Sequence, residues 1–213
     1  MPVAGVYIEL VSIADQDYDA WGQWYDASYR KLRSDVPGVI AVRRCKSVIG
    51  SAPAMVVYDL ADFTVAYSAP WRDADALARA HDPCPVPASS FDGPQGLVYR
   101  QILAFPDASY IPEPTPFLHG AFFEVNGRDH DEFNDWYNTE HIEFIKTVDG
   151  YLNCRRFQCL EVPTKFLALY DVVSLADSEA KDVAPQNFTP WATRVRGKLT
   201  TYRERRLFRV DGR

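Results

Sequence analysis

The chain has 213 residues, 47% of them apolar and 24% charged, which is enough apolar mass for a substantial core and no signature of disorder. Its net charge of -6 and pI near 5.2 argue against a nucleic-acid or anionic-membrane surface, because either partner needs a clustered basic field. No uninterrupted apolar run approaches the roughly 20 residues of a membrane span, so the expectation is a folded cytoplasmic protein that handles a small molecule.

In chain order, the segment GVYIELV (residues 5–11) reads as a first strand rather than part of a secretion signal, since Glu9 interrupts its apolar run. A helix is expected from about Asp17 to Val36, stopped by Pro37 and Gly38. Two strands follow, VIAVRRC (39–45) and AMVVYDL (54–60), then a helix near Pro70 and Trp71 and a strand LVYRQILAF (97–105). Residues 106–119 hold four prolines in fourteen positions and read as a semi-rigid connector. The order then recurs. GAFFEVN (120–126) alternates like a strand, and Asp129 with Glu132 three residues later signals a capping box for a helix running to about Val148. After Gly150, YLNCRRFQC (151–159) has the strand period, Pro163 marks a turn, and KFLALYDVV (165–173) reads as a buried strand. A helical segment starts at Thr189, Pro190 and Trp191, and TYRERRLFRV (201–210) is the last strand.

This recurrence is a duplication with an offset of 112 residues. It places Asp17 on Asp129, Trp24 on Trp136, Tyr25 on Tyr137, Gly38 on Gly150, Arg43 and Arg44 on Arg155 and Arg156, and Tyr58 and Asp59 on Tyr170 and Asp171. Trp71 matches Trp191, and Tyr99-Arg100 matches Tyr202-Arg203, after an insertion. The domains read as a first repeat (1–105), a linker (106–119) and a second repeat (120–213). Each repeat is a β-α-β-β-α-β, ferredoxin-like unit of an α+β fold. A four-stranded antiparallel sheet with helices on one face leaves the other face apolar, so two such sheets should pack face to face with the helices outside.

The two copies differ at one chemically decisive position, where Tyr29 of WYDASY falls on His141 of WYNTEH. A 3.6-residue period puts Phe133, Trp136, Tyr137, His141, Phe144, Ile145 and Val148 on one helix face, so the imidazole should point at the sheet while Glu140 and Glu143 turn away. Asp171 or Glu124 is the expected group to orient it. Arg155 and Arg156 must point to opposite faces of their strand, and whichever reaches the helix side would hold an anion among Trp136, Tyr137, Tyr170 and Trp191. Tyr29 is an aromatic filler or a hydrogen-bond donor. Cys45, Cys84, Cys154 and Cys159 make no CxxC pair and read as reduced thiols. His130 and His141, about 16 Å apart along a helix, are too distant to share a metal ion.

GAFFEVN, DWYNTEHIEFI, the following DGY and RRF, and the later PW dipeptide together resemble the dimeric α+β barrel superfamily, with WYNTEHI most similar to its EthD-like branch. That resemblance implies a single-chain barrel and an active helix histidine between helix and sheet, a role for which only His141 matches. The superfamily spans lyases, isomerases, cyclases, cofactor-free monooxygenases and haem enzymes. The leading expectation is a cofactor-free lyase, such as a decarboxylase, or an isomerase or cyclase of aromatic catabolism. It would act on a small hydrophobic, aromatic or polyketide-like acid, with His141 as general acid/base supported by Tyr170 and Asp171. The alternatives are a haem- or oxygen-dependent oxidoreductase of the same fold and a non-catalytic binding module; whether the barrel further forms a homodimer is open.

Overall fold

The computed structural model describes residues 2–48, 54–80, 83–86, 95–107, 115–200 and 204–212. Its strands are β1 (Gly5–Val11), β2 (Val39–Ser47), β3 (Ala54–Leu60), β4 (Gln95–Phe105), β5 (Phe117–Glu124), β6 (Cys154–Cys159), β7 (Lys165–Val172) and β8 (Glu204–Gly212). The helices are α1 (Tyr18–Tyr25), α2 (Lys31–Ser34) and α3 (Ala69–Arg79) in the first half, then α4 (His130–Trp136), α5 (Ile142–Ile145), α6 (Leu175–Val183) and α7 (Pro190–Arg196) in the second.

The strands close into an antiparallel barrel in the order β1-β3-β2-β8-β5-β7-β6-β4, which is two ferredoxin-like sheets, β4-β1-β3-β2 and β8-β5-β7-β6. The sheets face each other as expected and are also joined along both edges, by β2 with β8 and β4 with β6. Closure removes the unpaired strand edges that an open sheet would expose.

The 112-residue offset recurs in the pairing register. Tyr7 lies opposite Tyr58 as His119 lies opposite Tyr170, and Arg44 opposite Val56 as Arg156 opposite Ala168. The last strands depart from the sequence match: Gly5 pairs with Arg100 and Phe117 with Arg209, so Arg209 rather than Arg203 is the partner of Arg100. The shared Tyr-Arg dipeptide does not mark equivalent strand positions, and Tyr202 and Arg203 lie outside the described residues.

Strand alternation divides the core into three. Ile8, Val57, Leu118, Phe157, Leu169 and Phe208 fill the barrel. Trp21, Tyr25, Val56, Tyr58 and Trp71 lie between the first sheet and its helices, and Phe133, Trp136, Tyr137, Phe166 and Tyr170 do so in the second half.

Several boundaries differ from the sequence reading. β5 begins at Phe117, inside the 106–119 connector, whose proline content masked the strand; residues 108–114 of that connector lie outside the described set. Both long helices are broken by a π turn, Asp26–Arg30 between α1 and α2 and Tyr137–His141 between α4 and α5. A π turn inserts a residue relative to the α period, so Ile142 is buried alongside the expected stripe. Asp129 makes no side-chain cap; Lys198, just beyond the end of α7, reaches it at 3.1 Å and reaches Glu132 at 2.5 Å, drawing the acidic pair away from the helix end.

Gly150 has φ +77, and an added Cβ would lie 2.1 Å from Asp177 Oδ2. Asp177 takes part in the N-cap of α6, accepting the Ser174 hydroxyl at 2.6 Å. Gly150→Ala therefore forces a left-handed backbone on a side chain that collides with a cap, and should lower the unfolding free energy by roughly 1–2 kcal/mol or more, read by urea unfolding.

One end of the barrel interior is ionic. Arg43 donates to Asp171 at 2.6 Å and to Asp59 at 3.0 Å, and Arg155 donates to Asp59 at 2.6 Å. The closest contacts cross between halves, so each repeat's arginine reaches the other's aspartate. Asn153 and Thr115 also donate to Asp171. Burial raises the Asp171 pKa, but Arg43, Arg155 and the Asn153 bond more than reverse it, leaving a net downward shift. The sign follows by linkage: a carboxyl held below its unfolded value of about 3.9 contributes stability above that pH and loses it as pH falls through the folded value. Asp171→Asn should therefore flatten the acid side of a plot of Tm against pH, while leaving a constant loss near neutrality.

Candidate active site

The second-half helices hold their aromatic face against the outer side of β5, β6 and β7. His141, on the π turn, is 5% exposed. Its ring lies 5.0 Å from Trp136 and 4.7 Å from Tyr137, with Phe144 at 6.1 Å. The Tyr137 hydroxyl is hydrogen-bonded to that of Tyr170 on β7, and both side chains are buried. Arg156 stacks its guanidinium over the Tyr137 ring at 4.2 Å and donates to Asn138 and, at 2.8 Å, to Asn134. The arrangement thus gathers His141, Trp136, Tyr137, Tyr170 and Arg156.

The other expected residues lie elsewhere. On β7, Tyr170 faces the helices, so its neighbour Asp171 faces the barrel interior and its partners are Arg43, Asn153 and Thr115. Glu124 shares the interior-facing phase of β5 with Leu118 and Phe122, opposite to Ala121 and Phe123. Neither carboxylate is therefore on the face of the sheet that His141 approaches, which removes the two groups expected to orient it. Arg155 also points inward, to Asp59. Trp191 packs at the margin of the second-half core. Glu140 is turned to Trp136 Nε1 and the Thr189 hydroxyl, as its helix position implied.

Sequence reasoning passed over several participants. His119 is fully buried, bonds Tyr151 OH through Nδ1 at 2.8 Å, and lies 5.1 Å from the Tyr170 ring. It was hidden in the connector, although the offset places it on Tyr7 of the first strand. Lys181 of α6 is 2% exposed and approaches the Tyr151 and Tyr170 rings, each at 5.8 Å. Burial sets the electrostatics here. It pushes Tyr170 well above its usual range, with further upward contributions from Tyr137 and Cys154, and pushes the Cys154 thiol up to about 12. A hydroxyl held neutral in this way is a proton donor to an oxyanion, not a base.

The first half builds the same interface differently. Tyr29 is stacked on Tyr25 at 5.6 Å and carries the Arg33 guanidinium over its ring at 4.9 Å, an aromatic packing role. Glu9, also fully buried, binds Arg33 at 2.6 Å and accepts from the Tyr25 hydroxyl.

No family model and no curated protein sequence matches the chain. Solved structures do. An anthrone oxidase-like protein superposes with TM-score 0.72 at 13% identity, over 100% of this chain and 92% of that one. A monooxygenase-like protein of Listeria innocua gives TM-score 0.54 at 9% identity, over 98% and 96%. A haem-degrading enzyme of Listeria monocytogenes gives 0.53 at 10%, over 97% and 99%. The fold is the dimeric α+β barrel, closed here within one chain. At these identities the likeness concerns architecture, and function rests on the site. The barrel has no helix among its described residues long and apolar enough to cross a membrane.

Proposed function

We propose that this barrel is an oxygen-dependent oxidoreductase of the EthD-like branch that works on a small aromatic substrate in its second repeat (120–213). The observation that carries this reading is the contrast between the halves: a buried imidazole beside a tyrosine pair in the second, and a chain-internal ion pair filling the equivalent interface in the first. The WYNTEHI segment favours the branch. The oxidase- and monooxygenase-like names among the structural neighbours favour oxidation over the decarboxylation or ring closure that the sequence suggested first.

In this mechanism His141 removes a proton from an activated C–H or O–H of the substrate. The resulting anion is electron-rich enough to reduce O2. For a methylene flanked by two aryl groups, one molecule of substrate and one of O2 give one diaryl ketone and one water. Both C–H bonds of the methylene break, one oxygen atom becomes the carbonyl, and the other leaves as water with both protons. Trp136 and Phe144 keep water from the imidazole, and the neutral Tyr137–Tyr170 pair donates hydrogen bonds to the developing oxyanion.

The described residues fit a haem at His141 poorly, because Trp136, Tyr137 and Phe144 pack around its ring; these side chains must also shift for a smaller planar substrate to reach the imidazole.

The test is oxygen uptake with anthrone as probe, comparing the wild type with His141→Gln. Uptake matched by anthraquinone formation, and lost in the variant, supports the reading. Carbon dioxide release from phenolic acids under argon, without oxygen uptake, would replace it by a lyase.

A further inference from the structure

The halves share a register but balance charge differently at the helix–sheet interface. In the first half, both cations have carboxylates from the chain. Arg33 is bound by Glu9 and, through Nε, by Asp75 at 2.6 Å; it is caged by the rings of Tyr7, Tyr58 and Trp71 as well as Tyr29. Arg44 is bound by Asp26 at 3.0 Å. The Glu9 carboxylate also sits on the Tyr25 hydroxyl, which pairs with Tyr58 at 2.7 Å.

At the 112 offset the second half keeps the tyrosine pair, as Tyr137 and Tyr170, but carries Ala121 for Glu9, Ile145 for Arg33 and Asn138 for Asp26. It has thus given up two carboxylates while retaining Arg156, 2% exposed, whose hydrogen-bond partners among the described residues are the amide oxygens of Asn134 and Asn138. Burial pulls the Arg156 pKa below its ordinary value, whereas at the equivalent Arg44 the Asp26 carboxylate overcomes burial and raises it. A buried cation with no carboxylate of its own is costly unless an anion is supplied from outside.

We propose that the substrate carries a carboxylate, which seats against the Tyr137 and Tyr170 hydroxyls beside Ala121 with Arg156 as its countercharge, in the place that Glu9 fills from within in the first half. This rests on the second-half site being the working one and specifies what that site recognises. Glu9 serves as a built-in copy of the ligand's acid group. The first half is accordingly closed to substrate by its own side chains.

Calorimetric titration with 1-naphthoate and its uncharged isostere 1-naphthamide tests this without requiring turnover. The expected result is naphthoate binding roughly ten-fold or more tighter than naphthamide. Tyr170→Phe should weaken naphthoate by a similar factor and leave naphthamide unaffected. The double variant Ala121→Glu/Ile145→Arg, which copies the first-half pair, should abolish naphthoate binding while retaining the wild-type circular dichroism; if that graft does not fold, Tyr170→Phe carries the decision. Equal affinity for the two probes, absence of naphthoate binding, or a folded graft that binds naphthoate as the wild type does would each overturn the proposal. Charge-selective binding with neither anthrone nor a carboxylate-bearing anthrone oxidised would sink the oxidase reading alone, and oxidation without charge selectivity would sink the carboxylate seat alone.

Discussion

His141→Gln should lower oxygen-dependent turnover by roughly 10²–10⁴-fold, the range measured when a positioned acid/base group is removed. Glutamine preserves much of the bulk and a hydrogen-bonding group but cannot take and return a proton, so the loss should fall on kcat more than on KM. The wild-type circular dichroism should persist, because His141 is one member of a shell that Trp136, Tyr137 and Phe144 maintain around it. The reciprocal change in the first half, Tyr29→Phe, removes a hydroxyl from a ring that packs on Tyr25 and Arg33 and should leave turnover near the wild-type value. Steady-state oxygen uptake on the two variants separates the halves; equal losses would mean that both halves contribute, and wild-type uptake in His141→Gln would mean that the histidine takes no part.

The second large effect concerns folding. Asp59→Ala should cost about 3–5 kcal/mol of unfolding free energy, the usual consequence of removing one partner from a buried ion pair. Asp59 accepts from Arg43 and Arg155 together, and all three side chains are nearly or completely buried. Its loss leaves Asp171 as the nearest remaining carboxylate for two buried guanidinium groups. Arg155 already has Nε and Nη2 without a hydrogen-bond partner among the described residues, so it has little reserve. Because the Arg155 bond crosses between repeats, the loss should be cooperative across the barrel: urea unfolding should remain one transition at a lower midpoint. An unfolding free energy within about 1 kcal/mol of the wild type would mean that water or rearrangement replaces the carboxylate.

Much of the fold can be read along the chain because it depends on short-range periodicity and on self-similarity. Trp24-Tyr25 over Trp136-Tyr137, and Arg43-Arg44 over Arg155-Arg156, fix the duplication, and the duplication explains how each sheet finds a partner. The burial of His141 follows from helix geometry alone. What escapes the sequence is phase and long-range pairing. Alternation states that Tyr170 and Asp171 face opposite ways, but only the contact of Tyr170 with Tyr137 decides which of them meets the helices. Asp171 and Glu124 therefore fall on the face of the sheet turned away from His141. Glu9 was visible as a charge inside an apolar strand, yet its meaning required Arg33, 24 residues away, to be brought over it by a helix containing a π turn. His119 was obscured by proline-rich flanks, although extending the repeat two residues before Ala121 aligns it with Tyr7.

The most direct test is a crystal structure with 1-naphthoate bound. The ligand should occupy the second half only, its carboxylate against Tyr137 and Tyr170 and its rings near His141, with the Glu9–Arg33 contact of the first half intact. Ligand in the first half in place of that contact, or inside the barrel against Arg155, would contradict it.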